Sequence, residues 1–133
     1  MAQIEMTNQQ ICSCALTLSL LSSKWKVLII RELLNGSRRY NDLRRSVTGI
    51  SQKMLSQSLK EMENDGLVHR KVYPVIPPKV EYKLTATGES LKPVIQALDD
   101  WGNDYIQKTD PEYLNKRFDL SLSKNQWLRK AKK

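Results

Sequence analysis

The 133-residue sequence predicts one mainly α-helical domain with a single small β-hairpin. Apolar residues recur every three or four positions along most of the chain, which is the spacing of one helix face. Two neighbouring segments instead alternate apolar with polar residues, as half-buried strands do. Hydrophobic residues make up 40% and charged residues 27%, which is ordinary globular usage and excludes collagen-like, low-complexity and wholly disordered chains.

The first two helices are predicted within residues 11–35. Apolar positions between residues 11 and 21 suit one helix, which should stop near Ser22 and Ser23. Residues 24–35 follow at once and are apolar on almost every side. They are therefore predicted to form the central buried helix, with Gly36 as its C-terminal stop.

A pair of shorter helices follows, with a tight turn between them. Residues 40–47 form the first, and Thr48 and Gly49 make the turn. Ser51 stands where an N-cap is expected for the second, which covers residues 51–65. The side chains of this second helix separate by polarity. Leu55, Leu59 and Met62 form a stripe towards the core, and the opposite side carries Lys53, Ser56, Gln57, Lys60 and Asn64.

Two strands and a long helix complete the predicted domain. The strands cover residues 67–73 and 79–84, and the proline-containing segment 74–78 joins them as an exposed, stiff loop. The helix starts at Thr85 or Thr87, and its apolar residues repeat at intervals of three and four as far as residue 105. Pro93 should kink this helix.

Two short helices joined by a glycine turn and followed by a β-hairpin make a winged helix-turn-helix. In this fold the second short helix is free to enter the major groove of DNA. We expect a DNA-binding and dimerisation domain over residues 1–108 and a basic C-terminal extension over residues 109–133. In the extension a final turn or helix could dock through five apolar residues: Phe118, Leu120, Leu122, Trp127 and Leu128.

A homodimer through the N-terminal and C-terminal helices is expected from surplus apolar surface. Leu91, Ile95, Leu98 and Trp101 form a stripe that so small a core cannot fully cover. A symmetric pair would place two recognition helices on half-sites about one DNA turn apart, or a multiple of it. The expected operator is therefore an inverted repeat in double-stranded DNA.

The charge of the chain supports a polyanionic partner. The net charge is +8 and the isoelectric point is about 9.6. Nine basic and four acidic side chains lie within residues 36–80, and eight basic and three acidic ones lie within residues 108–133. The excess of positive charge thus lies in the predicted helix-turn-helix and wing and in the C-terminal extension.

Candidate DNA contacts fall into two sets. Base-edge contacts are expected from the polar face of the second short helix, because Gln can pair with adenine and Lys with guanine: Lys53, Ser56, Gln57 and Lys60. Ser51 and Gln52, at the start of this helix, could instead meet a phosphate or a base edge. Phosphate contacts are expected from basic residues around it: Arg38, Arg39, Arg44, Arg45, Arg70, Lys71 and Lys79. The alternatives are a merely solvated helix face and, for Arg39 and Arg70, ion pairs with Glu63 or Asp65.

Short motifs follow one another in one register between residues 12 and 105. They are Cys12, Lys24-Trp25, Ile30-Arg-Glu-Leu33, Gly36, Arg39-Tyr40, Asp42-Leu43, Gly49-Ile50-Ser51, Met54-Leu55, Leu59, Glu63, Asp65-Gly66-Leu67-Val68, Arg70, Tyr73, Pro77-Pro78, Val80-Glu81-Tyr82, Leu84-Thr85, Gly88, Leu91, Pro93-Val94 and Trp101-Gly102. Together they resemble the HxlR-type family of bacterial winged helix-turn-helix regulators. The resemblance implies a homodimeric DNA-binding repressor or activator. Several members respond to electrophiles, quinones, aldehydes or oxidants through the cysteine that Cys12 matches.

The two cysteines are candidate redox-sensing residues. The family often has Pro after the matched cysteine, whereas this chain has Ser13 and then Cys14. At a helix N-terminus the aligned amides stabilise a thiolate, which makes Cys12 reactive; the alternative is a small buried apolar residue. Thiols two residues apart on a helix diverge, so an adduct or a bridge to the partner subunit is favoured over a bond between them.

No metal, cofactor or catalytic role is expected. Cys12, Cys14 and His69 could supply three zinc ligands, but the diverging thiols disfavour a closed site within one chain. The sequence shows no acid/base set around His69 and no phosphate-binding glycine loop, so an enzyme is not expected. No apolar run is long enough to cross a bilayer, and two closely spaced cysteines suit a reducing compartment, so a cytoplasmic protein is expected. The family resemblance implies that it is bacterial and associated with the nucleoid.

The expected function is sequence-specific transcriptional regulation, with repression favoured over activation and with a small electrophile or oxidant acting on Cys12 as the inducer. Two alternatives stay open. One is a regulator of the same fold that is controlled by a non-thiol ligand or by none. The other is a winged-helix module whose basic face binds an acidic protein.

Overall fold

The computed structural model describes residues 10–118 and contains seven helices and three short strands in that range. The helices are α1 (Ser13–Leu20), α2 (Lys24–Leu33), α3 (Tyr40–Ser46), α4 (Gln52–Asn64), α5 (Ala86–Glu89), α6 (Lys92–Lys108) and α7 (Pro111–Arg117), and the strands are β1 (Arg38–Arg39), β2 (Val68–Tyr73) and β3 (Lys79–Leu84). The predicted class, mainly α-helical with a β-hairpin wing, is confirmed.

The core is built on α2, as its all-round apolar sequence predicts. Ile29, Ile30 and Leu33 are almost completely buried, and the predicted stripe of α4, formed by Leu55, Leu59 and Met62, belongs to the same cluster. Each side chain of this size contributes about 1.5–3 kcal/mol when it is fully buried. The apolar back of α4 is therefore held in the core, and its opposite face is left outside.

The turn between α3 and α4 follows the local chemistry of its residues. Helix α3 ends as the chain reaches Val47, and Gly49 takes a φ of 89°, a left-handed conformation that favours glycine. The hydroxyl of Ser51 then accepts a hydrogen bond from the Met54 amide at 3.1 Å. Ser51 is thus the predicted N-cap of α4.

The wing is an antiparallel sheet with the strand order β1-β3-β2. Strands β2 and β3 pair from Val68 with Leu84 to Tyr73 with Lys79. Strand β1, which the sequence pattern did not predict, pairs Arg38 with Tyr82 and Arg39 with Glu81. Two residues are too short to show an alternating pattern, so this strand is defined only by its pairing with β3.

The predicted long helix after the wing is interrupted. Helix α5 ends at Glu89 and α6 begins at Lys92, so the expectation of one kinked helix was wrong. Pro93 lies in the first turn of α6, where its missing N–H would have no helical partner in any case, and it starts the helix rather than bending it. Thr85 is the N-cap of α5, and its hydroxyl accepts from the Gly88 amide at 3.1 Å.

The extension begins with helix α7, capped by Asp110, whose carboxylate accepts from the Glu112 amide at 3.2 Å. The sequence pattern did not predict this helix. Phe118 is the last residue described. The predicted docking of Leu120, Leu122, Trp127 and Leu128 lies outside the described residues.

None of the described helices, taken singly, has the length and apolar character needed to span a bilayer. Only α1 and α2 together meet those two criteria, and they are bent by 79° at the break between them.

Candidate nucleic-acid interface

The polar face of α4 is open to solvent. Every base-contact candidate predicted from the sequence is exposed: Ser51, Gln52, Lys53, Ser56, Gln57 and Lys60. Ser58, which the sequence pattern left unassigned, is instead buried beside Leu55 and Leu59. The helix therefore presents a continuous polar surface that begins at its capped N-terminus.

A tyrosine on α3 braces the N-terminal half of this face. The Tyr40 hydroxyl donates to the Gln52 carbonyl at 3.1 Å and lies 3.0 Å from the Ser56 hydroxyl. Because the single Tyr40 proton is used on Gln52, Ser56 must donate to Tyr40 and keeps only acceptor capacity for a ligand. Tyr40 is thus a positioning residue, a role that the sequence analysis did not predict.

A buried lysine on α2 holds the C-terminal half of α4. The Lys26 ammonium lies 3.3 Å from the Glu61 carboxylate of α4 and 3.3 Å from the Ser22 hydroxyl, and Lys26 is only 6% exposed. Glu61 is partly exposed, so water screens the ion pair in part. The sequence carries one signal for this contact, because a lysine inside a helix that is apolar on nearly all sides needs a partner when it is buried.

The predicted phosphate contacts differ in how free their charges are. Arg44 and Arg70 are exposed, and neither makes an ion pair within the described part of the chain. Arg45 is also exposed but forms a 2.5 Å ion pair with Asp42, and Arg38 donates to the Ser37 carbonyl at 2.9 Å. Arg44 is consequently the most available cation beside α4.

The alternative ion pairs of Arg39 and Arg70 are not formed. Between residues 10 and 118, neither arginine pairs with Glu63 or Asp65. Arg39 instead lies opposite Glu81 across the β1–β3 pairing.

Lys79 is more engaged than the sequence suggested. Its ammonium forms a 2.8 Å ion pair with Glu81 and lies 4.8 Å from the centre of the Tyr73 ring. The hydrogen bond from Lys79, supported by the charges of Lys79 and Arg39 and a hydrogen bond from Tyr73, lowers the pKa of Glu81. Lys71 approaches the same ring at 4.9 Å without an acidic partner of its own in the described chain. Lys71 is therefore freer than Lys79.

Both thiols are exposed and free. Cys12 is the N-cap of α1 with an extended backbone, and Cys14 lies in the first turn. Helix α1 has no buried residue, so the alternative of a buried structural cysteine is not what this chain shows. Elsewhere on the surface, His69 is exposed on β2, and the described residues contain no group of three side chains able to hold a metal ion.

Helices α1 and α6 carry uncovered apolar side chains. Leu16 and Leu18 of α1 are exposed, as are Leu98 and Trp101 of α6, with Trp101 at 70%. The Trp101 and Tyr105 rings stack at 5.4 Å. The stripe predicted for dimerisation is thus divided, because Ile95 is buried in the core and Leu91 packs against it.

Helix α6 is fixed to the central helix by an ion pair. The Arg31 guanidinium donates to the Asp99 carboxylate at 2.9 Å, and both groups are partly buried. Any surface on α6 is therefore linked through α2 to the helix-turn-helix.

Comparison with known proteins identifies the family. The model of the HxlR-like helix-turn-helix family matches residues 20–110. This chain belongs to the HxlR family. Its relatives include an uncharacterized HTH-type transcriptional regulator of Bacillus subtilis, YkvN, which is 43% identical over 109 residues, covering 82% of this chain and 90% of YkvN. As an HxlR-family protein the chain is a DNA-binding transcriptional regulator, and regulators of this family are not enzymes.

Solved structures give the same fold. The redox regulator HypR in its oxidized form superposes with a TM-score of 0.67 at 41% identity, covering 70% of this HxlR-family chain and 96% of HypR. The reduced form of the transcriptional regulator YodB from B. subtilis superposes with a TM-score of 0.65 at 37% identity, covering 75% of this chain and 99% of YodB. The winged helix architecture predicted from the sequence is confirmed by both.

Proposed function

We propose that this HxlR-family regulator is a homodimeric repressor that binds an inverted-repeat operator in the bacterial cytoplasm, at the nucleoid, and is controlled by modification of Cys12. The observation that carries the proposal is the exposed polar face of α4, which Tyr40 and Lys26 brace from two sides. A rigid helix with a free polar face is the element that reads base edges in the major groove.

Lys53 and Gln57 are proposed to select the base sequence. Replacing either with Ala should weaken binding to the selected operator by roughly 5- to 150-fold, because one good base contact gives about 1–3 kcal/mol of discrimination. Binding to random duplex DNA should change little. The operator is first selected from a random-sequence library, and both affinities are then measured by fluorescence anisotropy.

Arg44 provides the matched contrast, because its charge is free and is proposed to meet a phosphate. Arg44→Ala should weaken operator and random DNA alike and reduce the slope of affinity against salt by about one unit. Lys79→Ala should have a smaller effect, since its ammonium is already paired with Glu81. Equal losses on both DNAs for Lys53, Gln57 and Arg44 variants would show that α4 is not the reading helix.

The homodimer is proposed to form through the exposed apolar residues of α1 and α6. Leu98→Asp should convert a dimer at micromolar concentration into a monomer, because it places a charge in an apolar contact. Gln107→Asp is the control, since it adds the same charge on the opposite side of α6, about 180° away. Sedimentation velocity distinguishes the two. A wild-type monomer, or a Leu98→Asp dimer as stable as the control, would contradict this interface.

The thiol control is proposed from the position of Cys12. Its thiol is exposed at the N-cap of α1, where reagents can reach it, and α1 belongs to the proposed interface. One structural relative, HypR, is a redox regulator. Operator titrations with reduced and with diamide-treated protein test this control.

A further inference from the structure

The tip of the wing is apolar and has no partner in the described structure. The β2–β3 pairing ends at Tyr73 and Lys79, and residues 74–78 project beyond it. Ile76 is 101% exposed and Val75 is 51% exposed. Val75 and Ile76, together with three prolines in the same five residues, make one contiguous apolar tip, and exposed contiguous apolar surface often marks a binding site.

The base of this tip is positively charged. Lys71 and Lys79 converge on the Tyr73 ring at 4.9 and 4.8 Å from its centre, and only one of the two ammonium groups is paired with a carboxylate. Arg70 and Lys83 add exposed positive charge lower on the same two strands. Many minor-groove proteins combine basic side chains with an apolar side chain that inserts between base pairs as a wedge. The wing has the same combination, with an apolar tip above basic strands.

The wing is also mechanically continuous with the recognition helix. Strand β2 packs directly against α4, and β3 packs against α2 and α3. The position of the wing relative to α4 is therefore fixed. DNA that is bound to α4 also reaches the wing, so this DNA is the ligand expected at the tip. The prolines restrict the backbone of the tip in advance, which reduces the entropy lost when it is inserted.

We propose that Ile76 enters the minor groove beside the half-site read by α4, partly unstacks one base step and bends the duplex. The inference rests on the proposed function, since it needs an operator bound through α4. The insertion of Ile76 would add sequence specificity without any hydrogen bond to a base. Flexible pyrimidine–purine steps unstack and bend at lower cost than stiff ones, so operators with such steps would bind more tightly.

The test uses the full chain with Ile76→Ala, a change at a fully exposed position that leaves the core untouched. Val72→Ala is the control, because Val72 is also exposed and apolar but lies on the stem of the wing. Each protein is titrated onto the operator with long flanks and onto one trimmed to the bases under α4. Bending is measured by energy transfer between dyes at the DNA ends, and unstacking by 2-aminopurine placed in the flank.

Wild type and Val72→Ala should bend the long operator and raise the 2-aminopurine fluorescence. Ile76→Ala should do neither, and should bind the long operator roughly tenfold more weakly while binding the trimmed one equally well. Ile76→Ala that binds and bends like wild type would overturn the wedge and leave the proposed function intact. No sequence-specific binding by wild type would instead overturn the proposed function. Ile76-dependent binding to phosphatidylglycerol vesicles, with unchanged DNA binding, would also overturn the wedge.

Discussion

Gly88→Ala is expected to lower the free energy of unfolding by about 3 kcal/mol, the upper end of the usual cost of overpacking. A Cβ atom at Gly88 would lie 2.2 Å from the Leu67 carbonyl oxygen and 3.0 Å from a methyl carbon of Leu84. The carbonyl cannot move away cheaply, because it accepts a hydrogen bond from the Thr85 amide at 3.0 Å. The loss is large beside a typical total stability of about 5–15 kcal/mol.

Thr87→Ala is the matched control for this prediction. Thr87 is the neighbouring residue of α5, its side chain is exposed, and its replacement should change stability by less than about 0.5 kcal/mol. Denaturant unfolding of the three proteins at one fixed concentration gives the comparison, since dimer formation would make stability depend on concentration. Gly88→Ala as stable as Thr87→Ala would show that α5 and the strand ends separate without cost.

Helices with a strong apolar period could be placed from the sequence alone. Helix α4 was predicted together with its N-cap Ser51 and its buried stripe, because both signals are local and agree with each other. The β2–β3 hairpin was predicted for the same reason, since alternation and flanking prolines act over a few residues.

Elements that depend on tertiary contact could not be placed. Strand β1 exists only through its pairing with β3, and α5, in which Gly88 comes close to the Leu67 carbonyl, ends before the break at residues 90–91. Neither contact leaves a periodic trace in the sequence. The effect of Pro93 was predicted wrongly for a related reason. The sequence around a proline does not show whether it bends a continuous helix or stands in the first turn of a new one.

The exposed residues of the candidate site were predicted from the sequence, but the residues that brace helix α4 were not. Exposure of Lys53, Gln57 and Arg44 follows from helix periodicity, but the paths from Tyr40 to Ser56 and from Lys26 to Glu61 join residues 16 and 35 positions apart. Such pairs depend on how helices pack. The sequence therefore predicts the proposed DNA-binding surface, but it does not predict the residues that hold that surface in place.

Oxidation or alkylation of the wild type is expected to weaken operator binding by about tenfold or more, which is within the usual range of coupling between two sites. Cys12, whose thiol is exposed at the N-cap of α1, is the proposed site of modification. A quinone adds to the thiolate, whereas diamide takes two electrons and two protons from two thiols and leaves a disulfide between subunits. Either product lies at the proposed interface, where a small rotation changes the spacing of the two α4 helices.

The variants assign the response to one thiol. Cys12→Ser should bind the operator as tightly as reduced wild type and should lose the response to both reagents, whereas Cys14→Ser should still respond at least in part. Operator affinity is measured by anisotropy before and after treatment, and mass spectrometry records the adduct or the bridge. A Cys12→Ser protein that still loses affinity as strongly as wild type would contradict the assignment. The switch would then belong to Cys14, which lies in the first turn of α1 and is also exposed.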